Sequence, residues 1–280
     1  MNEQLFVRLQ KMLPQHKLSQ LAGSLANSEK PYIKNRFIAW FIKKYQVNMK
    51  ESFIENPEEF KSFNDFFTRR LKSEIRPQPT DEAVLSSPVD GTIYELGKID
   101  NHTLIQAKGK TFTTDALLAD TKEADLFKNG HFITLYLSPK DYHRVHMPFA
   151  GKLLSTRFIP GQLFSVNPAT CRNVDDLFAK NERLVCLFET VNGPLAVIFV
   201  GAMIVASIHT VWHPIAYHSE DGDIKFVNFH HYQPPYARGQ EIGHFQLGST
   251  IILLMGKQAL EFFPDIKAGN PIKMGDALAK

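Results

Sequence analysis

The sequence has few cysteines and no long apolar segment. Its two cysteines, Cys171 and Cys186, are too few for a disulfide framework and have no metal-binding spacing. The longest apolar run, residues 195–206, is too short to cross a bilayer, and residues 1–10 lack the apolar core of a signal peptide. These absences predict a reducing compartment and a protein that is soluble or peripherally bound to a membrane.

The charge of the chain is small overall but unevenly distributed. The formal net charge of the 280 residues is +3, whereas residues 1–50 alone carry nine Lys or Arg and two Glu. The rest of the chain is therefore mildly acidic. A basic N-terminal segment beside an acidic body indicates contact with an anionic surface, either a membrane or a nucleic acid.

Apolar residues at helical spacing predict amphipathic helices in residues 3–27, interrupted at Pro14, and in residues 32–48, where aromatic residues alternate with lysines. Such helices can lie in a membrane interface with the lysines on anionic lipid, or form a cap packed on the body, and both can hold. Nucleic acid is disfavoured because the aromatic residues follow the apolar stripe and not a basic groove. Residues 63–77 predict one more helix, ended by Arg76 and its following proline.

From about residue 84 the pattern changes to short apolar runs separated by Gly, Pro, Asn and Asp, which predicts a β-rich body. A short helix is expected at residues 113–118. The chain therefore reads as an α+β protein in which N-terminal amphipathic helices, residues 1–78, precede a β-rich domain, residues 79–280.

Several polar residues have the chemistry of an active site. Ser249 follows Gly248 and precedes a β-branched run, so its hydroxyl can attack the preceding carbonyl, although most Gly-Ser pairs are turns. His143 and His146 follow a predicted strand and are candidate general bases, although loop histidines are more often polar surface. Asp90 lies in a Pro-Val-Asp-Gly turn, where a carboxylate commonly caps its own backbone.

A serine, a histidine and an aspartate together can form a nucleophile, base and orienting group. Ser249 nevertheless lacks the G-x-S-x-G elbow and the βα alternation of the α/β-hydrolases. Metal binding is disfavoured, because no third and fourth ligand accompany His143 and His146. The residues alone thus indicate an activated serine in a β-rich protein that contacts membranes.

Seven motifs in one order resemble the bacterial phosphatidylserine decarboxylase family, in its shorter proteobacterial form. The motifs are FNDFFTRRLK, SPVDGTI, YLSPKDYHRVHMP, PGQLFSVNP, NERLVCLFET, GAMIVASI and LGST. The resemblance implies a proenzyme that cuts itself between Gly248 and Ser249, which yields a β chain of residues 1–248 and an α chain of residues 249–280. It also implies a barrel-like β body covered by helices.

The resemblance assigns roles to individual residues. Asp90, His146 and Ser249 form the charge relay for self-cleavage, and Ser249 is converted into a covalent pyruvoyl group. That group forms a Schiff base with the substrate amine and acts as the electron sink that PLP supplies elsewhere, so neither PLP nor a metal is expected. His143 is implied in the decarboxylation step as proton donor or positioning group.

The implied reaction converts phosphatidylserine, taken from an anionic membrane, into phosphatidylethanolamine and CO₂. The implied location is the cytoplasmic side of the inner membrane, with peripheral attachment, and the implied assembly is a dimer of the cleaved pair without nucleic acid. Three alternatives stay open at this point: a pyruvoyl-dependent decarboxylase of a soluble amino acid, a serine hydrolase using Ser249, His146 and Asp90, and a non-catalytic binding module.

Overall fold

The computed structural model describes residues 3, 7, 10, 13–107, 109–203, 207–217, 222–229, 234–246, 249–257 and 260–280. Within these residues the helices are α1 Gln15–Ala26, α2 Pro31–Tyr45, α3 Phe63–Phe67, α4 Thr114–Leu118, α5 Thr121–Asp125, α6 Pro168–Asn173 and α7 Leu177–Lys180. Short 3₁₀ turns occupy Met49–Glu51, Pro57–Glu59 and Ser73–Ile75.

The strands come mostly from the runs that the sequence predicted. They are β1 Leu85–Ser86, β2 Gly91–Lys98, β3 Thr103–Ala107, β4 Lys110–Thr113, β5 His131–Leu137, β6 Arg144–His146, β7 Gly151–Ile159, β8 Arg183–Thr190, β9 Gly193–Val200, β10 Ser207–Thr210, β11 His213–Tyr217, β12 Lys225–Asn228, β13 Glu241–Gln246, β14 Ser249–Met255, β15 Pro271–Ile272 and β16 Ala277–Ala279. The α+β class with N-terminal helices is therefore confirmed.

The N-terminal helices begin at prolines or directly after one. Helix α1 starts immediately after Pro14, and α2 has Pro31 in its first turn, where a missing backbone N–H costs nothing. Helix α2 ends at Tyr45, and the left-handed backbone of the next residue, Gln46 (φ 54°), terminates the hydrogen-bond ladder. Most of the predicted helical stripe before Pro14 lies outside the described residues.

The helix predicted over residues 63–77 is wrong in length, because α3 ends at Phe67. The Thr68 hydroxyl donates back to the Asn64 carbonyl at 2.8 Å. The following chain pairs instead with the segment after α2, where Phe53 N donates to Arg70 O at 2.8 Å. The apolar residues of that stretch therefore belong to a bridge between two chain segments and not to the face of a helix.

The body is built on one large antiparallel sheet of eight strands, in the order β12-β7-β8-β9-β14-β5-β2-β15. A four-stranded sheet, β11-β10-β13-β6, accompanies it, together with two strand pairs, β1-β16 and β3-β4. Every residue of β14 is buried, as expected for a central strand covered on both faces. The large sheet does not close into a barrel within the described strands, because its edge strands β12 and β15 do not pair with each other.

Two hydrophobic clusters fill the protein. The larger cluster lies in the β-rich body and also takes in Val7 from the N-terminal segment. The smaller cluster is formed by Ala26 at the end of α1 together with α2, α3 and their connection. In it, Phe41, Phe63, Phe66 and Phe67 are buried against one another. Among the described residues, no helix combines the length and apolarity needed to cross a membrane.

Candidate active site

The predicted site residues gather at one end of the large sheet. Asp90 immediately precedes β2, and Ser249 is the first residue of β14. Both strands pair with β5, where Ser249 lies opposite Leu137 and Thr92 lies opposite Tyr136. Asp90 and Ser249 therefore enter the sheet on opposite sides of the end of β5, with their backbones about 10 Å apart at a strand spacing of about 4.8 Å.

Ser249 is fully buried, and its Oγ has no hydrogen-bond partner. An unpaired hydroxyl in the interior is costly, because the group has lost its water without gaining a replacement. The other half of the predicted cleavage site, Gly248, lies outside the described residues. The Ser249 hydroxyl is thus buried and is not committed to another contact.

The Asp90 carboxylate is held by an arginine that the sequence did not single out. Arg76 Nε donates to Oδ1 at 2.9 Å and Arg76 Nη2 to Oδ2 at 2.5 Å, while the Met274 amide donates to Oδ1 at 2.8 Å. Arg76 Nη2 also donates to Glu51 Oε2 at 2.7 Å. Burial opposes the charged form of Arg76, but the hydrogen bonds and charges of both carboxylates outweigh that cost and raise its pKa.

His146, in β6, is buried and has both ring nitrogens in hydrogen bonds. Nδ1 lies 2.8 Å from the Gly239 carbonyl, which can only accept, so Nδ1 carries the hydrogen. Nε2, 3.0 Å away, then accepts from the Tyr142 hydroxyl. Burial lowers the pKa of His146, although the Gly239 carbonyl and the charges of Glu241 and Asp90 act against it. The imidazole is therefore a neutral base.

His143 is fully buried and has one free ring nitrogen. Nδ1 donates to the Asp141 carbonyl at 2.8 Å, whereas Nε2 has no partner. Its ring centroid lies 4.0 Å from that of Phe67, which belongs to α3. Burial lowers its pKa to about 3. At neutral pH, His143 therefore presents an unshared nitrogen lone pair to the interior.

The structure brings these residues to one region without linking them as a hydrogen-bonded triad. Asp90 bonds to Arg76, His146 bonds to Tyr142, and Ser249 Oγ bonds to no group. Of the two histidines, His143 pairs with the chain nearer to Ser249, because the Phe245 amide donates to the His143 carbonyl at 3.1 Å. His146 pairs farther back, with Glu241.

The partners Arg76 and Tyr142 were missed by the sequence reasoning for different reasons. Arg76 was interpreted as the end of a helix, and its carboxylate partners are 14 and 25 residues away. Tyr142 lies within the motif that holds both histidines, but its loop backbone has no periodicity that would point its hydroxyl at His146. Membership of the motif that holds both histidines could have indicated Tyr142 as a site residue. No sequence signal indicated Arg76.

A cavity of about 310 Å³ opens beside Asp90 at this end of the sheet. Its lining includes Arg69, Arg76, Lys140 and Tyr142. A larger cavity, of about 700 Å³, lies between the start of α1 and residues 162–180 and contains none of the predicted site residues. Within the described part of the chain, no three His, Cys, Asp or Glu side chains are grouped as metal ligands.

Comparison with known proteins identifies the family. Residues 63–280 match the family model described as phosphatidylserine decarboxylase, and residues 5–46 match a model described as PSD. Relatives named phosphatidylserine decarboxylase proenzyme include those of Hahella chejuensis (46% identity; 99% of this chain and 94% of the relative), Pseudomonas fluorescens (45%; 100% and 99%) and Bordetella pertussis (45%; 99% and 94%). The chain therefore belongs to the phosphatidylserine decarboxylase family.

Proposed function

We propose that this chain is a proenzyme that cuts itself between Gly248 and Ser249 and then decarboxylates phosphatidylserine to phosphatidylethanolamine and CO₂. The family membership supports the reaction, since the relatives carry the name phosphatidylserine decarboxylase proenzyme. The observation that supports the position of the cut is the buried, unpartnered hydroxyl of Ser249 at the end of the sheet where Asp90 and both histidines gather.

In the proposed cut, Ser249 Oγ attacks the Gly248 carbonyl carbon while His146 takes the hydroxyl proton. The amide nitrogen leaves and an ester forms. Loss of the Ser249 α-proton then expels the Gly248 carboxylate, and the resulting dehydroalanine is hydrolysed to a pyruvoyl group with release of ammonia. His146 needs Nε2 for this role, so it must exchange the bond from Tyr142 for one from Ser249.

Asp90 is the proposed partner that stabilises the imidazolium formed on His146. Its charge already favours the protonated form of His146. With His146 Nε2 turned to Ser249, the nitrogen left for Asp90 is Nδ1, which donates to the Gly239 carbonyl, so direct contact with Asp90 requires His146 to give up that bond. Asp90 can keep its ion pair with Arg76, because each carboxylate oxygen can accept more than one hydrogen bond. The proposal therefore includes a rearrangement of the His146 ring before or during the cut.

The pyruvoyl group would supply the electron sink for the carbanion that remains when CO₂ leaves. The site suits such a group, because the Ser249 position is fully buried and water is kept from the reacting carbon. His143 has a free Nε2 and a fixed ring, held by the Asp141 carbonyl. We assign it to the decarboxylation step, as proton donor or positioning group.

The experiment that tests the cut is an intact mass spectrum of the purified protein. The wild-type chain should give fragments of residues 1–248 and 249–280, and Ser249→Ala should remain one chain of 31.9 kDa. Thr134→Val is the matched control, since its hydroxyl is also buried without a partner but lies within the neighbouring strand β5. A wild-type chain that stays whole, or a Ser249→Ala chain that still splits, would refute the proposed cut.

Three further variants and a substrate comparison separate the assigned roles from the alternatives. Asp90→Asn and His146→Ala should cut slowly, whereas His143→Ala should cut and then decarboxylate poorly. Vesicles of phosphatidylserine should release CO₂ and free L-serine should not. Release from L-serine alone would favour an enzyme for a soluble amino acid, and an uncut active protein labelled at Ser249 by a fluorophosphonate would favour a hydrolase.

We further propose that residues 1–78 attach the enzyme peripherally to the cytoplasmic side of the inner membrane, beside a catalytic domain of residues 79–280 that works as a dimer of cleaved pairs. Exposed aromatic and cationic residues at helical spacing on α2 support the attachment: Tyr32, Arg36, Trp40 and Lys43. Rings at headgroup depth beside cations on anionic lipid are typical of interfacial helices.

This attachment is tested by sedimentation with anionic vesicles. The double variant Tyr32→Ser/Trp40→Ser should bind more weakly than the parent, and added salt should weaken binding of both. Val191→Ser is the control, because Val191 is 90% exposed but lies in the turn between β8 and β9. Equal binding by the double variant and the control would reject α2 as the attachment surface.

A further inference from the structure

Two buried arginines line the cavity beside Asp90, and they differ in how many partners balance their charge and accept their hydrogen bonds. Arg76 is engaged by two carboxylates, those of Asp90 and Glu51. Arg69 is 5% exposed and makes one hydrogen bond, from Nη2 to the Lys140 carbonyl at 3.2 Å. Its Nε and Nη1 are buried without a partner, which leaves three N–H donors unused.

Burial of Arg69 with unused donors is unfavourable, and the Phe66 ring, whose centroid lies 5.4 Å from the guanidinium carbon, offsets only part of that cost. Burial lowers the pKa of Arg69 to about 10, although the charges of Asp90, Glu51 and other nearby groups act against it. The guanidinium therefore remains charged at neutral pH. A buried cation with free donors is stabilised strongly by an anion, because charge-assisted hydrogen bonds strengthen where water is excluded.

We propose that Arg69 is the anion subsite of the active site and binds the phosphodiester of the lipid headgroup, with Lys140 contributing positive charge at the rim. This assignment rests on the proposed function, since it takes a phospholipid as the substrate. The cavity that Arg69 lines also contains Asp90, at the end of the sheet where Ser249 begins β14. Ser249 does not line this cavity, so a headgroup anchored at Arg69 has to extend across the end of β5, about 10 Å, to bring its serine to the proposed reacting position.

The phosphodiester suits Arg69 better than the serine carboxylate does. The carboxylate loses its charge as CO₂ forms, so an ion pair with it would stabilise the substrate more than the transition state and slow the reaction. The phosphodiester keeps its charge throughout. Binding it stabilises substrate and transition state equally, which lowers KM without opposing the chemical step.

The test uses the full-length Ser249→Ala chain, which cannot cut or react, and measures binding by calorimetry. The probes are sn-glycero-3-phospho-L-serine, inorganic phosphate and L-serine. Arg69→Met should weaken binding of glycerophosphoserine about ten- to hundredfold. Arg70→Met, the neighbouring exposed arginine, is the matched control and should bind as the parent does. L-serine should bind weakly and equally to all three chains.

Each alternative outcome overturns the assignment in a recognisable way. Unchanged binding of glycerophosphoserine by Arg69→Met removes the subsite. Equally tight, Arg69-dependent binding of inorganic phosphate would make this a free-phosphate site and not a headgroup site. Arg69→Lys keeps the positive charge but has fewer N–H donors, and it should bind glycerophosphoserine with intermediate affinity. If Arg69→Met does not fold, this variant decides the question: parent-like affinity of Arg69→Lys would refute the role of the guanidinium.

Failure of the subsite can be distinguished from failure of the proposed function. In cleaved enzyme with vesicles, Arg69→Met should raise KM for phosphatidylserine with kcat nearly unchanged. Phosphatidylserine turnover by the wild type, with no effect of Arg69→Met on binding or KM, rejects the subsite and keeps the function. Arg69-dependent binding of glycerophosphoserine by a wild-type protein that never releases CO₂ rejects the function and keeps the subsite.

Discussion

Burial of His143 makes the stability of the uncut chain depend on pH. The ring is fully buried, and burial lowers its pKa to about 3, against about 6.5 for an unfolded histidine. Below pH 6.5 the unfolded chain therefore binds a proton that the folded chain excludes. The contribution of His143 to the free energy of unfolding falls as the pH falls, by about 1.4 kcal/mol per pH unit until pH 3 is approached.

The expected loss between pH 7 and pH 4.5 is about 2.5 kcal/mol from this one residue. It is measured by urea unfolding of Ser249→Ala at several pH values, so that self-cleavage cannot change the molecule. His143→Asn in the same background keeps a donor for the Asp141 carbonyl but cannot titrate. Its stability should be lower at pH 7, because the contact with Phe67 is lost, but should fall less steeply with acid.

The difference between the two slopes is the informative quantity, because buried carboxylates contribute equally to both chains. His143→Gln provides a second neutral replacement with different packing, and it should show the same reduced slope. Slopes that match the parent in both variants would refute the reasoning, since the folded protein would then accommodate a protonated His143.

Two further predictions concern the partners of the proposed catalytic groups. Arg76→Met leaves Asp90 and Glu51 without their shared cation and should lower the free energy of unfolding by about 3–5 kcal/mol, as measured by denaturant unfolding. Asp90→Asn should cost less, because Arg76 keeps Glu51; equal costs would contradict this. Tyr142→Phe removes the donor to buried His146 Nε2 and should cost about 1–3 kcal/mol, and unchanged stability would disprove that hydrogen bond.

Much of the fold could be predicted because its strands are short runs of β-branched and apolar residues. The runs around β5, β8 and β14 have few polar interruptions and are buried on both faces, so their sequence carries a strong signal. The helix prediction for the stretch after Phe67 was wrong, because the spacing of apolar residues alone cannot distinguish a helix face from a bridge to another segment. Leu71 fits the helical pattern, but it pairs with Ser52.

The site was predictable in its residue types and not in its contacts. The motifs around Asp90, His146 and Ser249 named candidate groups whose roles remain predictions. Their observed partners depend on long-range packing: Arg76 reaches Asp90 across 14 residues, and Gly239 reaches His146 across 93. One sequence contains no local pattern that would reveal such pairs.

The predicted domain boundary near residue 78 separates two parts of the sequence, but residues from both parts form the candidate site. Arg69 and Arg76 precede that boundary, yet both line the cavity beside Asp90, and Phe67 packs on the ring of His143. The same N-terminal region carries the exposed stripe of α2, and the smaller hydrophobic cluster joins α2 to α3. The proposed membrane contact on α2 is thus connected through the packed side chains of this cluster to Phe67, which packs on His143. Substitutions in that cluster should alter catalysis as well as stability, because the cluster supports the residues on which the proposed chemistry depends.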